Sequence, residues 1–131
     1  MITHAAYLGD FVAERAVLLA RVPEEALEAA QVRAVHLLVG EDAPLDRNNS
    51  WLLQLGLQEA GKFKVISREV PLDGALRASV VRRIALEDPA LLSRGDSLAI
   101  RLSPRGLPPP LSGVSIIVEW GVHASRRGSR A

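Results

Sequence analysis

The chain has no cysteine among its 131 residues. That excludes disulfides, thiolate metal sites and cysteine nucleophiles together. Aromatic residues are scarce at 4%: Trp51, Trp120, Phe11, Phe63 and Tyr7. A glycosidase cleft or carbohydrate-binding module stacks sugars on aromatic rings, and single-stranded nucleic-acid binders stack bases on them, so all three readings lose support. Lys62 and Lys64 are the only lysines, so basic charge rests on arginine; with abundant Leu, Ala and Pro this fits a GC-rich genome or a thermophilic source. Apolar runs are short and broken by Arg, Glu or Pro, so no segment is expected to span a bilayer. The N-terminal residues lack the basic region and apolar block of a secretory signal, and the expectation is a soluble, unexported chain. Glycine-rich phosphate loops and a GxSxG nucleophile turn are also missing.

What is present suits one globular domain spanning residues 1–131. Hydrophobic residues make up 48% and charged residues 24%, and this length buries roughly two thirds of the unfolded chain's surface. A net charge of +1 gives no global reason to bind nucleic acid or an acidic membrane, and neither is expected as a partner. His4, His36 and His123 have no metal-ligand spacing. The carboxylates Glu24, Glu25, Glu28, Glu41, Asp42, Glu87 and Asp88 cluster at turns or a helix start, where solvation and capping explain them. Asp42, Asp46 and Asn48 share a polar loop without the spacing of a calcium site, Arg94 to Asp96 reads as a turn, and Asn48 to Ser50 matters as a glycosylation acceptor only in a secretory route. The arginines of the tail read as a solvated terminus. No catalytic residue, metal ligand or cofactor is assigned, and the chain is not expected to be an enzyme. A minority alternative gives His36 and a nearby carboxylate a catalytic or pH-sensing role.

Architecture is more legible. Leu98, Ile100 and Leu102 alternate with Ala99, Arg101 and Ser103, as Val114, Ile116 and Val118 do with Ser115, Ile117 and Glu119, the period of half-buried strands. Between these two strands, Pro104, Gly106, Pro108, Pro109 and Pro110 exclude helix and central strand, leaving an irregular, stiff loop. Residues 11–22 read better as strand than as helix, 31–39 as a strand with apolar surroundings on both sides, and 51–57 with 62–70 as a hairpin turning at 59–61. Pro23 followed by acidic residues predicts a short helix at 23–30. Residues 73–86 fit two patterns: Leu76, Val80 and Ile84 recur at helical spacing, while 78–86 also alternate, and the surrounding strands favour the second. Residues 1–10 read as an N-terminal arm and 123–131 as a frayed tail. The fold class is mainly β: an antiparallel β-sandwich or jelly roll of seven to eight strands with that one short helix.

The order of elements carries a resemblance. A strand ending in Val22 and Pro23, a hairpin led by Trp51, then LLSRGDSLAIRLSP, a proline loop and GVSIIVEWGV together resemble small jelly-roll structural proteins of tailed phages, particularly capsid decoration (auxiliary or cement) proteins. The likeness covers residues 11–122 and carries over no individual residue. It implies a homotrimer, made in the host cytoplasm, seated on the outside of the virion's shell, contacting the major capsid protein and bracing it against internal DNA pressure. Surplus apolar surface and a stiff loop point independently to association, through an interface drawn from Tyr7, Phe11, Pro104, Arg105, Leu107, Pro108, Pro109 and Pro110. The competing reading is a ligand-binding β-sandwich accessory module, taking sugar or peptide in a pocket near Trp51 or Trp120.

Overall fold

The computed structural model describes residues 2–22, 30–86, 91–93 and 95–122. Ten strands are assigned among them: β1 (Ile2–Phe11), β2 (Arg15–Arg21), β3 (Ala30–Leu38), β4 (Ser50–Glu59), β5 (Lys62–Val65), β6 (Val70–Leu72), β7 (Arg82–Ala85), β8 (Leu91–Leu92), β9 (Ser97–Arg105) and β10 (Leu111–Val122). All pairings are antiparallel. The first sheet runs β1, β10, β3, β7, with β8 also on β3; the second runs β2, β9, β4, β5, with β6 also on β4. Among the described residues there is no helix, and hence none long and apolar enough to cross a membrane.

This order follows from one long hairpin. Its turn is Ala60 and Gly61, both at positive φ (51° and 77°), the pair of left-handed residues that a two-residue turn between twisted strands requires. Outward from it the pairs nest: Gly56 faces Val65, Leu53 faces Val70, Ala34 faces Ala85, Ala30 faces Leu92, Arg15 faces Leu102, and Ile2 faces Trp120. Rolling this hairpin up brings β10 onto β3 and β9 onto β4 and closes both sheets. The result is a jelly roll.

Burial follows the alternation of the strands. Leu98, Ile100 and Leu102 of β9, Trp51, Leu53 and Leu55 of β4, Val35 and Leu37 of β3, and Val114, Ile116 and Val118 of β10 are all essentially fully buried. Each strand thus sends every second side chain into the space between the sheets, where close packing is the dominant source of stability. Edge strands are interrupted by side chains that substitute for the ladder. Between β5 and β6, the Ser67 hydroxyl accepts from the Leu55 amide (2.8 Å) and Gln54 Nε2 donates to the Ser67 carbonyl (3.1 Å).

Three expectations need comment. Residues 2–10, expected as an arm, belong to β1 and pair with β10 throughout; small residues and bulges on either side of Gly9 hide the strand period. In 73–86 only Arg82–Ala85 is strand. Leu76 is buried because it bridges Ala43, Ile84 because it faces the core, and Val80 is exposed, so their helical spacing reflects no helix. The short helix expected at 23–30 lies outside the described residues except for Ala30, which opens β3, and the tail 123–131 lies wholly outside them.

Candidate protein interface at the loop end

Alternating strand directions deliver four connections to one end of the sandwich: Val12 to Glu14, residues 39–49, residues 73–81 and residues 106–110. The second of these is the spine. Asp46 Oδ1 accepts from the amides of Asn48 (2.9 Å) and Asn49 (2.8 Å), and the Asp46 amide donates to the Asn49 carbonyl (3.0 Å), a self-closed turn of the kind Asp favours. Ala43 exchanges two backbone hydrogen bonds with Leu76 (2.8 and 2.9 Å), and Asp42 Oδ1 accepts from the Ala78 amide (2.8 Å). Gly40 donates to the Ser112 carbonyl (2.7 Å), and Asn49 Oδ1 accepts from the Leu107 amide (2.9 Å). One loop therefore holds two others. Ala43, Leu45 and Leu76 are buried beneath and plug the end of the core.

The proline loop is fixed from below. Trp51 is buried in β4, and its indole Nε1 donates to the Pro109 carbonyl at 2.9 Å. Phe11 meets that indole edge to face, with centroids 6.5 Å apart, and the Arg15 guanidinium lies 4.3 Å from the Phe11 centroid while donating to the Leu8 carbonyl (2.7 Å). Gly106, at φ 75°, has no room for a side chain, because a Cβ there would run into the Asn48 carbonyl. Arg105 donates to the Arg47 carbonyl at 3.1 Å.

Of the residues expected at an interface, Pro104, Arg105 and Pro110 are exposed, Pro108 and Pro109 half-buried, and Leu107 is 91% exposed at the loop tip. Tyr7 is 73% exposed on β1. Phe11 is the exception: at 1% exposure it is a core residue that supports the loop through Trp51 and offers no surface itself. The structure adds Val12, Val80 and Val81, each more than half exposed on neighbouring loops. Nothing local marks those valines, since their exposure depends on where the roll places their loops. Residues 46–49 were readable as part of a polar loop, but neither their turn nor its contact with Leu107 was.

Other candidates are assigned bonds. His36 Nε2 shares a 3.0 Å hydrogen bond with Glu119 Oε1, and Arg83 donates from Nε and a terminal nitrogen to the two Glu119 oxygens (both 3.3 Å). Glu119 is only 7% exposed on the outward side of the first sheet, and the Arg83 and His36 hydrogen bonds, in that order, hold its carboxyl below the usual value. Among the described residues no three potential ligands gather to hold a metal. Asp42 and Asp46 of the polar loop are occupied by backbone amides, as is Asp96, whose Oδ2 accepts from Ser93 (2.8 Å). Ser50 is fully buried with its hydroxyl unpartnered. Trp51 and Trp120 are both buried, which removes the stacking surface that a ligand module would use.

No protein-family profile matches the chain, and no curated protein matches its sequence. Among solved structures, a chain in the structure of infectious bursal disease virus, Gx strain, superposes with a TM-score of 0.41 at 12% identity. That match covers 95% of this chain and 33% of the other, so the protein spans about a third of the viral chain's length.

Proposed function

We propose that the protein is a non-enzymatic structural component of a virion, closing as a homotrimer and decorating the outside of a capsid by seating its loop end on the major capsid protein. The observation that carries this reading is the loop end itself. Val80, Val81 and Leu107 are held out to solvent on connections fixed by hydrogen bonds to Asp42, Asn49 and Trp51, and Val12 is exposed on the connection at the same end. Exposed apolar side chains on a backbone that is already ordered bind at a low entropic cost, which suits a permanent seat on a large partner. Enzymatic chemistry finds less support, because the histidine and carboxylate pair found among the described residues is tied up with Arg83 on an outward sheet face.

Two measurements test the proposal. Light scattering of the purified chain is expected to give three times the 14.1 kDa protomer mass or a multiple of that, and a monomer or dimer at high concentration overturns the trimer. Leu107→Asp with Val81→Asp is expected to leave the fold intact and to weaken binding to undecorated capsid shells by at least about tenfold, as loss of a buried apolar anchor does. Unchanged binding overturns the seat.

A further inference from the structure

Among the described strands the two sheets have four free edges, and the edges differ. In the second sheet, β2 is flanked by Arg15 and Arg21, β5 carries Lys62 and Lys64, and β6 contains Pro71. In the first sheet, β7 presents Arg82 and Arg83 within four residues. Cations, proline and shortness are the usual devices by which an edge refuses a further strand. β1 has none of them. Its register with β10 is unbroken from Ile2 to Tyr7, and Thr3, His4, Ala5, Ala6 and Tyr7 include no Asp, Glu, Lys, Arg or Pro. No described strand lies on its other edge, and the Arg15 bond to the Leu8 carbonyl falls beyond the regular stretch.

We infer that the outer edge of β1 pairs antiparallel with β1 of a second copy, centred on Ala5, so that the first sheet continues across a two-fold axis. The partner is a second copy because a two-fold contact sets a strand against itself, and among the edge strands longer than four residues only β1 does so without like charges meeting. On β2 the same operation would set Arg15 opposite Arg21 twice, and on β5 Lys62 opposite Lys64. On β1, Ala5 faces Ala5 and Thr3 faces the partner's Tyr7 on the outward side, while His4 faces Ala6 on the other. Ile117 neighbours Ala5 in the existing ladder and is 37% exposed, so the apolar row from Ile117 through Ala5 runs on into the partner's Ala5 and Ile117. Tyr7, the most exposed aromatic, gains a neighbour along its ring.

This goes beyond the loop-end reading and uses separate residues. The absence of cysteine makes the test direct, because single-cysteine variants read the contact without background. Ala5→Cys places two thiols on residues whose Cβ atoms lie about 4.5–5.5 Å apart when directly opposed, close to bonding range. Oxidised with diamide, it is expected to form a linked dimer at least about tenfold faster than Glu59→Cys, which is exposed at the hairpin turn and meets another copy only by collision. An equimolar mixture of Thr3→Cys and Tyr7→Cys is expected to give the mixed dimer well beyond the twofold excess over either homodimer that random pairing produces. Equal rates in the first comparison, or a mixed dimer no more abundant than random pairing gives, overturn the pairing; if Ala5→Cys fails to fold, the mixture alone decides. With both contacts present the mass is six protomers; a mass of three protomers without linkage at Ala5 sinks the pairing alone, and linkage with a mass of two protomers sinks the trimer alone.

Discussion

The outward faces of the two sheets meet the same need in different ways. Each has a glycine in a long strand and a large side chain laid across it. In the second sheet the glycine is Gly56 and the cover is the Phe63 ring, over which the Arg101 guanidinium sits 4.6 Å from the centroid while donating to Gln54 Oε1 at 2.6 Å. In the first it is Gly121, covered by the flexible Arg33 side chain, beside Glu119 and its bonds to His36 and Arg83. Ala99 and Ala34, both on outward sides, are fully buried as a result. The comparison teaches that a strand glycine marks a close approach whose tolerance depends on the stiffness of its neighbour. The second sheet's cover is built around a ring; the first sheet's is a flexible side chain beside a carboxylate whose titration is shifted down.

Four substitutions test that contrast. The largest effect is expected from Gly56→Ala, whose new methyl would lie 2.6–2.7 Å from the Phe63 ring and the Lys64 carbonyl. Because backbone has to move, the loss is expected at about 1–3 kcal/mol in urea unfolding, and a loss below about 0.5 kcal/mol would show the cover to be loose. Arg101→Ala removes the hydrogen bond to Gln54 and the contact with Phe63 at a half-exposed site, for a loss of about 1 kcal/mol that does not change between pH 4 and pH 8. Glu119→Gln acts through pH instead. The folded carboxyl titrates below its ordinary value of 4.5, chiefly through Arg83, so as pH falls the unfolded chain takes up the proton first. Glu119 therefore stabilises the fold fully above the ordinary value, and that contribution is lost as pH drops through the folded one. Unfolding midpoints of the parent chain and Glu119→Gln are expected to differ at neutral pH and to converge in acid; parallel curves would show the pairing to be inert. The smallest effect is expected from Gly121→Ala. Arg33 can swing off into solvent, and the cost stays below about 0.5 kcal/mol, as for most surface changes.

The sequence disclosed what a local period can encode. Leu98, Ile100 and Leu102, with Val114, Ile116 and Val118, announce two core strands, and the apolar Trp51 stretch followed by Ala60 and Gly61 announces the central hairpin. β1 stayed hidden because Ala5, Ala6 and Gly9 are poor strand formers and bulges break its period near Gly9. Phe11 was misplaced at the interface because a lone aromatic near a terminus looks the same whether it packs inward or outward. His36 and Glu119 are 83 residues apart in the chain, and no spacing rule connects them. The loop end was half legible: prolines give the stiffness of 106–110, but its alignment with Val12, Val80 and Val81 follows only once the strand order is known.

The nesting of six strand pairs around Ala60 and Gly61 also has a kinetic consequence. Closing a loop costs entropy that grows with its length, and β1 meets β10 across almost the whole chain. Each inner pair that forms first shortens the span the next must close, so assembly is expected to run outward like a zipper from the central turn, slowly for a topology so rich in distant contacts. The outermost pair forms last and, by the same reasoning, opens first, so the earliest loss of amide-exchange protection is expected along β1 and β10, where the two ends of the roll lie side by side.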